Sequence, residues 1–95
     1  MAQYRQLAAI MFVDIVGYTA MMQEDEQKTF DLRDKLKNKL EAEVSLRGGK
    51  IVKFSGDGAL CSFDSATKSL RVAIALQLHM QEEPKVPLRI GIHQA

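Results

Sequence analysis

The sequence predicts an α+β domain in which helices cross over one side of a split βαβ sheet. Two observations carry that expectation. Short apolar segments bounded by turn residues alternate with two amphipathic stretches, in the order strand, helix, strand, strand, helix, strand. The middle pair of strands flanks a Gly-rich turn, the mark of a hairpin between two crossover units.

The first strand is expected over residues 7–13, Leu-Ala-Ala-Ile-Met-Phe-Val, a run too short for an ordinary helix and apolar throughout, as in a strand buried on both faces. Asp14-Ile15-Val16-Gly17 follows it, and a short helix fits residues 19–23. From about residue 26 to residue 47, Leu32, Leu36, Leu40 and Val44 recur at four-residue spacing with charged residues between them, which predicts a long amphipathic helix. Gly48-Gly49 then terminates it. Arg33, Lys35, Lys37 and Lys39 alternate with Asp31, Asp34, Glu41 and Glu43, so this is a solvated helix face and not a basic patch.

Residues 50–54 and 59–63 form the hairpin around Ser55-Gly56-Asp57-Gly58. Asp64 or Ser65 caps a second helix running to about residue 83, where Pro84 and Pro87 forbid continuation. Its Leu70, Ala73, Ile74, Leu76, Leu78 and Met80 make a surface broad enough to cover the sheet or to form an interface. Leu88, Ile90 and Ile92 alternate within residues 86–93, a strand with one buried face. This order is that of a ferredoxin-like sandwich with the first and third strands central. It carries the end of the first strand to the hairpin turn, so Asp14 and Asp57 are expected to face each other.

Composition sets the outer limits. With 95 residues, 46% hydrophobic and 26% charged, the chain is one globular domain at most. Thirteen basic against twelve acidic side chains give a formal charge of +1, which removes the usual electrostatic case for nucleic acid or an anionic membrane. No apolar run approaches the ~20 residues of a bilayer span, and no secretory signal is evident. The lone Cys61, among apolar neighbours, reads as a buried thiol in a reducing compartment; the expected location is cytoplasmic. Cys61, His79 and His93 are too few and too scattered for a zinc site.

Asp14 and Asp57, each near a glycine at converging chain ends, form a hard-oxygen pair suited to Mg²⁺ or Mn²⁺ shared with substrate phosphates. Residues 15–19 leave a strand for a helical turn, where outward N–H groups can receive phosphate and Gly17 permits close approach. From the residues alone, however, Asp before Gly is usually ordinary turn chemistry, and Lys53 is more readily a strand lysine reaching water.

The wording of the two segments narrows the choice. Phe12-Val13-Asp14-Ile15-Val16-Gly17-Tyr18-Thr19 and Lys53-Phe54-Ser55-Gly56-Asp57-Gly58-Ala59, with a helix between them, resemble the catalytic domain of the class III nucleotidyl cyclases, the adenylate and guanylate cyclases. Leu88-Arg89-Ile90-Gly91-Ile92-His93 is similar to that family's next strand. The resemblance covers nearly all of residues 1–95, as the N-terminal portion of that domain. It implies that Asp14 and Asp57, with the backbone carbonyl of Ile15, hold two Mg²⁺ or Mn²⁺ ions, and that the backbone of Gly17, Tyr18 and Thr19 surrounds the β- and γ-phosphates. It also implies that Lys53 reads the purine. A lysine donates to the N1 acceptor of adenine, where guanine presents an N–H, so the implied substrate is ATP and the product 3′,5′-cyclic AMP with pyrophosphate.

The aromatic ring of Tyr18 is expected to pack rather than to stack on the base, and Thr19 could equally be a helix cap. Arg89, a tempting phosphate clamp, lies outside the matching metal motifs and reads as structural. The family's domain continues into a second purine-reading residue and the asparagine and arginine that stabilise the transition state, none of which occurs in this sequence. The resemblance further implies a head-to-tail homodimer, and these residues alone are expected to bind metal–ATP but to turn it over poorly. The alternatives are a catalytically degenerate dimerisation or regulatory module, and another ferredoxin-like palm, against which stands the lack of a Gly-Gly-Asp/Glu-Glu-Phe motif.

Overall fold

The four-residue recurrence of Leu32, Leu36, Leu40 and Val44 winds into one buried stripe of a long helix in the computed structural model, which describes residues 8–94. The elements are β1 (Ala9–Ile15), α1 (Tyr18–Glu24), α2 (Glu26–Leu46), β2 (Lys50–Phe54), β3 (Gly58–Phe63), α3 (Ala66–Met80) and β4 (Leu88–Gln94). The strands form one sheet of order β2-β3-β1-β4, antiparallel at every pairing, with β1 and β3 central as the ferredoxin-like order requires.

Caps set the helix starts. The Asp25 carboxylate accepts from the backbone N–H of Lys28 at 3.1 Å, and the Thr29 hydroxyl donates to the Asp25 carbonyl at 2.7 Å, which lets Thr29 be buried on the core stripe. Ser65, not Asp64, caps α3, accepting from the N–H of Lys68 at 3.1 Å. That helix stops at Met80, short of residue 83, because the chain turns there and the Val86 N–H closes back on the Met80 carbonyl at 2.9 Å. Lys35 of α2 donates to the carbonyls of Glu82 and Pro84 at 2.7 and 2.9 Å, fixing this loop on α2.

The core lies between the helices and a single face of the sheet. Met11, Val13 and Ile15 of β1 and Ala59, Cys61 and Phe63 of β3 meet Leu36, Leu40, Val72 and Leu76 there. Burial of β1 on both faces is therefore incorrect. Its alternate residues turn away from the helices, and Phe12 is 48% exposed. The strand also runs two residues beyond Val13, so that Asp14 lies within it; Leu7 falls outside the described residues. The broad apolar surface of α3 divides in two: Val72, Ala73, Leu76 and Met80 enter the core, whereas Leu70, Ile74 and Leu78 stay exposed.

Candidate functional site

Pairing register assembles the site on the open face. Asp14 of β1 lies opposite Gly58 of β3 on one side and Arg89 of β4 on the other. Gly58 allows the approach, since a Cβ there would collide with the Val13 carbonyl and press on the Asp14 backbone. The turn is then tied to β1 by the Ile15 N–H, which donates to the Asp57 carbonyl at 2.9 Å, and closed by the Ser55 N–H donating to the Gly58 carbonyl at 2.8 Å. Asp14 and Asp57 consequently line one cleft of about 270 Å³, together with Phe12, Val13, Lys53, Ser55, Ala59 and Leu60.

A bulge puts Lys53 in that cleft. Ile51 pairs with Cys61 but Lys53 pairs with Leu60, leaving Val52 as an extra residue. Cys61 belongs to the covered face and Leu60 to the open one, so unbroken alternation would have put Lys53 on the helix side. Phe54, past the bulge, turns to the helices, where the Lys37 ammonium sits 5.3 Å from its ring centre. A second cavity of about 170 Å³ lies on that side, lined by Arg33, Lys37, Leu40 and Phe54; its one acid is Asp34, so it offers no carboxylate pair.

The electrostatics centre on Asp14. Its Oδ2 accepts from the Arg89 guanidinium at 2.9 Å, and its Oδ1 is buried with no hydrogen-bond partner among the described residues. Hydrogen bonding and charge attraction from Asp14, with a smaller attraction from Asp57, raise the already high pKa of Arg89. Arg89, expected to be structural, is thus the ion-pair partner of Asp14. Strand alternation, which sets Arg89 opposite in face to Leu88 and Ile90, is the signal the sequence holds; the pairing with β1 that brings it to Asp14 is seen only in the structure.

A buried carboxylate oxygen with nothing to bind, beside a second carboxylate, fits a hard divalent cation. Among the described residues no group of three His, Cys, Asp or Glu surrounds such an ion. Any ion held there would take the rest of its shell from water or a bound phosphate, as Mg²⁺ and Mn²⁺ do. Cys61 is no competing ligand, since burial pushes its thiol up to about 11.

Two residues past β1, Gly17 adopts φ 74° and turns the chain into α1 without any side-chain cap. Thr19 therefore does not cap the helix. The Met21 N–H bonds the Gly17 carbonyl at 3.0 Å, and earlier N–H groups of the first turn have no intrahelical acceptor. Tyr18 packs against the core, as a packing residue should.

No protein-family profile matches the chain. A candidate adenylate cyclase of Rhizobium meliloti (strain 1021) is 37% identical over 97 residues, covering 94% of this chain and 16% of that protein. The crystal structure of an adenylate/guanylate cyclase/hydrolase from Silicibacter pomeroyi is 36% identical, with a TM-score of 0.78 over 97% of this chain and 58% of that one. The chain belongs to the class III nucleotidyl cyclases. An adenylate cyclase structure from Trypanosoma brucei, at 15% identity, shares the fold with a TM-score of 0.90 over 100% of this cyclase chain and 59% of its own. The chain spans 16% and 23% of its curated relatives. No helix among the described residues is long and apolar enough to cross a membrane.

Proposed function

We propose that this chain supplies the metal and triphosphate half of a cyclase active site that converts ATP to 3′,5′-cyclic AMP and pyrophosphate. The observation that carries the reading is the open-face cleft lined in common by Asp14, with a buried unpartnered oxygen, Asp57 and Lys53. Asp14, Asp57 and the Ile15 carbonyl would hold two Mg²⁺ or Mn²⁺ ions. When bound, such ions supply Lewis-acid activation of the ribose 3′-hydroxyl and neutralise charge on the triphosphate. The chain's own contribution is placement. The uncapped turn at Gly17, Tyr18 and Thr19 presents backbone N–H donors to the β- and γ-phosphates. Lys53, turned to the open face by the bulge, donates to adenine N1 and has no matching acceptor for the N1–H of guanine.

Phe12 and Leu60 leave apolar surface beside the cleft, 48% and 36% exposed, where a second copy packed head to tail would seat and exclude water.

Calorimetry of ATP binding to the chain in the presence of Mn²⁺, with GTP as competitor and Asp57→Asn as control, tests the assignment. Binding that requires Mn²⁺, prefers ATP and disappears in Asp57→Asn is the expected result. A folded chain that binds no nucleotide would support the catalytically degenerate module instead. Equal affinity for GTP would remove Lys53 from the specificity role while leaving the carboxylate pair.

A further inference from the structure

Asp14 has one oxygen satisfied by a cation and the other by nothing, although both belong to a single, largely buried carboxylate. The two sides of the Arg89–Asp14 pair differ sharply in freedom: the Arg89 side chain is 70% exposed and that of Asp14 is 22% exposed. Asp14 is fixed by its strand between Gly58 and Arg89, whereas the guanidinium stands on a long stem with solvent around it. Charge in the cleft is shared further, because Asp57 also attracts Arg89.

We propose that Arg89 is the resident counter-ion of Asp14, and that a divalent metal ion must displace it, so the ion pair and metal loading are alternative states of one carboxylate. The inference rests on the metal role of Asp14 in the preceding reading. A dication on Oδ1 stands close to a guanidinium on Oδ2, and repulsion between +2 and +1 at such a separation exceeds the worth of a single partly exposed ion pair. The mobile partner yields. Arg89 then swings out while Asp14, held by the sheet, stays in place. In the metal-free protein the arginine keeps a buried carboxylate from standing uncompensated, and it sets a threshold that metal must overcome. Arg89 acts here through Asp14 and is a positioning residue.

The test uses Mn²⁺ alone, titrated calorimetrically into the 95-residue chain without nucleotide, for the unmodified protein and for Arg89→Ala, Arg89→Lys, Lys53→Ala and Asp14→Asn. Arg89→Ala is expected to tighten Mn²⁺ binding by roughly threefold to tenfold, as removal of a competing ion pair would. Arg89→Lys should fall between Arg89→Ala and the unmodified chain. Lys53→Ala removes a charge from the same cleft but no hydrogen bond to Asp14, and should tighten binding by less. Asp14→Asn should lose it. Thermal melts give the second readout: Arg89→Ala lowers the metal-free midpoint, and Mn²⁺ raises it by more than in the unmodified chain.

An arginine that merely props Asp14 open predicts the opposite sign, weaker Mn²⁺ binding and a smaller metal-induced shift in Arg89→Ala. Either result overturns the proposal and leaves the metal site standing. Equal effects of Arg89→Ala and Lys53→Ala would overturn it in favour of diffuse charge. If neither the unmodified chain nor Arg89→Ala binds Mn²⁺, the metal assignment itself fails, and the displacement with it.

Discussion

On the helix-covered face of the sheet, Met11, Val13 and Cys61 are enclosed in the apolar core, whereas their immediate sequence partners Phe12, Asp14 and Leu60 look out from the other face into a cleft. One peptide bond separates the two environments. Residues on the covered face are fixed by packing, and their chemistry hardly matters beyond volume and apolarity. Those on the open face are fixed by register, and their chemistry is the point. A carboxylate oxygen without a partner is tolerated there because strand pairing, not its own bonding, holds Asp14 in place. The packed core and the proposed site are thus separated by the period-2 alternation of two central strands. The separation can be broken from either side.

The largest effect should come from the covered face. Leu40 is fully buried on the α2 stripe, so Leu40→Ala is expected to cost about 2–5 kcal/mol of unfolding free energy, read by denaturant titration. Where the variant remains folded, its Mn²⁺ affinity should match that of the unmodified chain. A loss of metal affinity in proportion to stability would show that the two faces are not independent. Gly58→Ala comes next and attacks the point where they join. The added methyl meets the Val13 carbonyl and the Asp14 backbone, so β1 and β3 must part. About 1–3 kcal/mol of destabilisation is expected, by analogy with overpacking, together with weaker Mn²⁺ binding even after correction for the unfolded fraction. Asp57→Asn, one residue earlier, should abolish metal binding while changing stability by no more than about 0.5 kcal/mol.

The same division explains what could be read from the sequence. Leu32, Leu36, Leu40 and Val44 announce α2 because a helix repeats its buried position near every fourth residue, and Leu88, Ile90 and Ile92 announce β4 by alternation. The strand order follows from connection rules, and it places Asp14 beside the Asp57 turn, as the structure does. The apolar run of β1 misled, because Phe12 belongs to a face that the helices leave open, and residue type alone does not distinguish a second buried face from an exposed apolar one. The bulge at Val52 was also invisible. Nothing in Lys-Ile-Val-Lys-Phe marks the extra residue, yet it decides which face Lys53 joins. Arg89 was legible in principle, since alternation with Leu88 and Ile90 already gave its face; missing was the register that sets it opposite Asp14.

The smallest effect, and the sharpest control, concerns a carboxylate with nothing left to bind. Glu43 of α2, its side chain 12% exposed, engages Lys39 at 3.1 Å through one oxygen and Arg47 through the other. Its pKa is held below the ordinary 4.5 chiefly by the Lys39 hydrogen bond, with the charges of Lys39 and Arg47 adding to it against the opposing cost of burial. A carboxyl whose folded pKa is depressed contributes stability above its unfolded pKa and loses it as pH falls through the folded value. The contribution should therefore be complete above about pH 4.5 and fade below it. Its size is that of helix-surface pairs, a few tenths of a kcal/mol. Stability measured from pH 7 downward should show a slightly shallower acid loss in Glu43→Gln than in the unmodified chain, and Mn²⁺ should leave that difference unchanged. Asp14 differs from Glu43 in one respect that matters, an oxygen left over. If Mn²⁺ altered the Glu43 limb as much as it stabilises the sheet, the ion would be binding the helix surface rather than the cleft, and the open face would lose its claim to be the functional one.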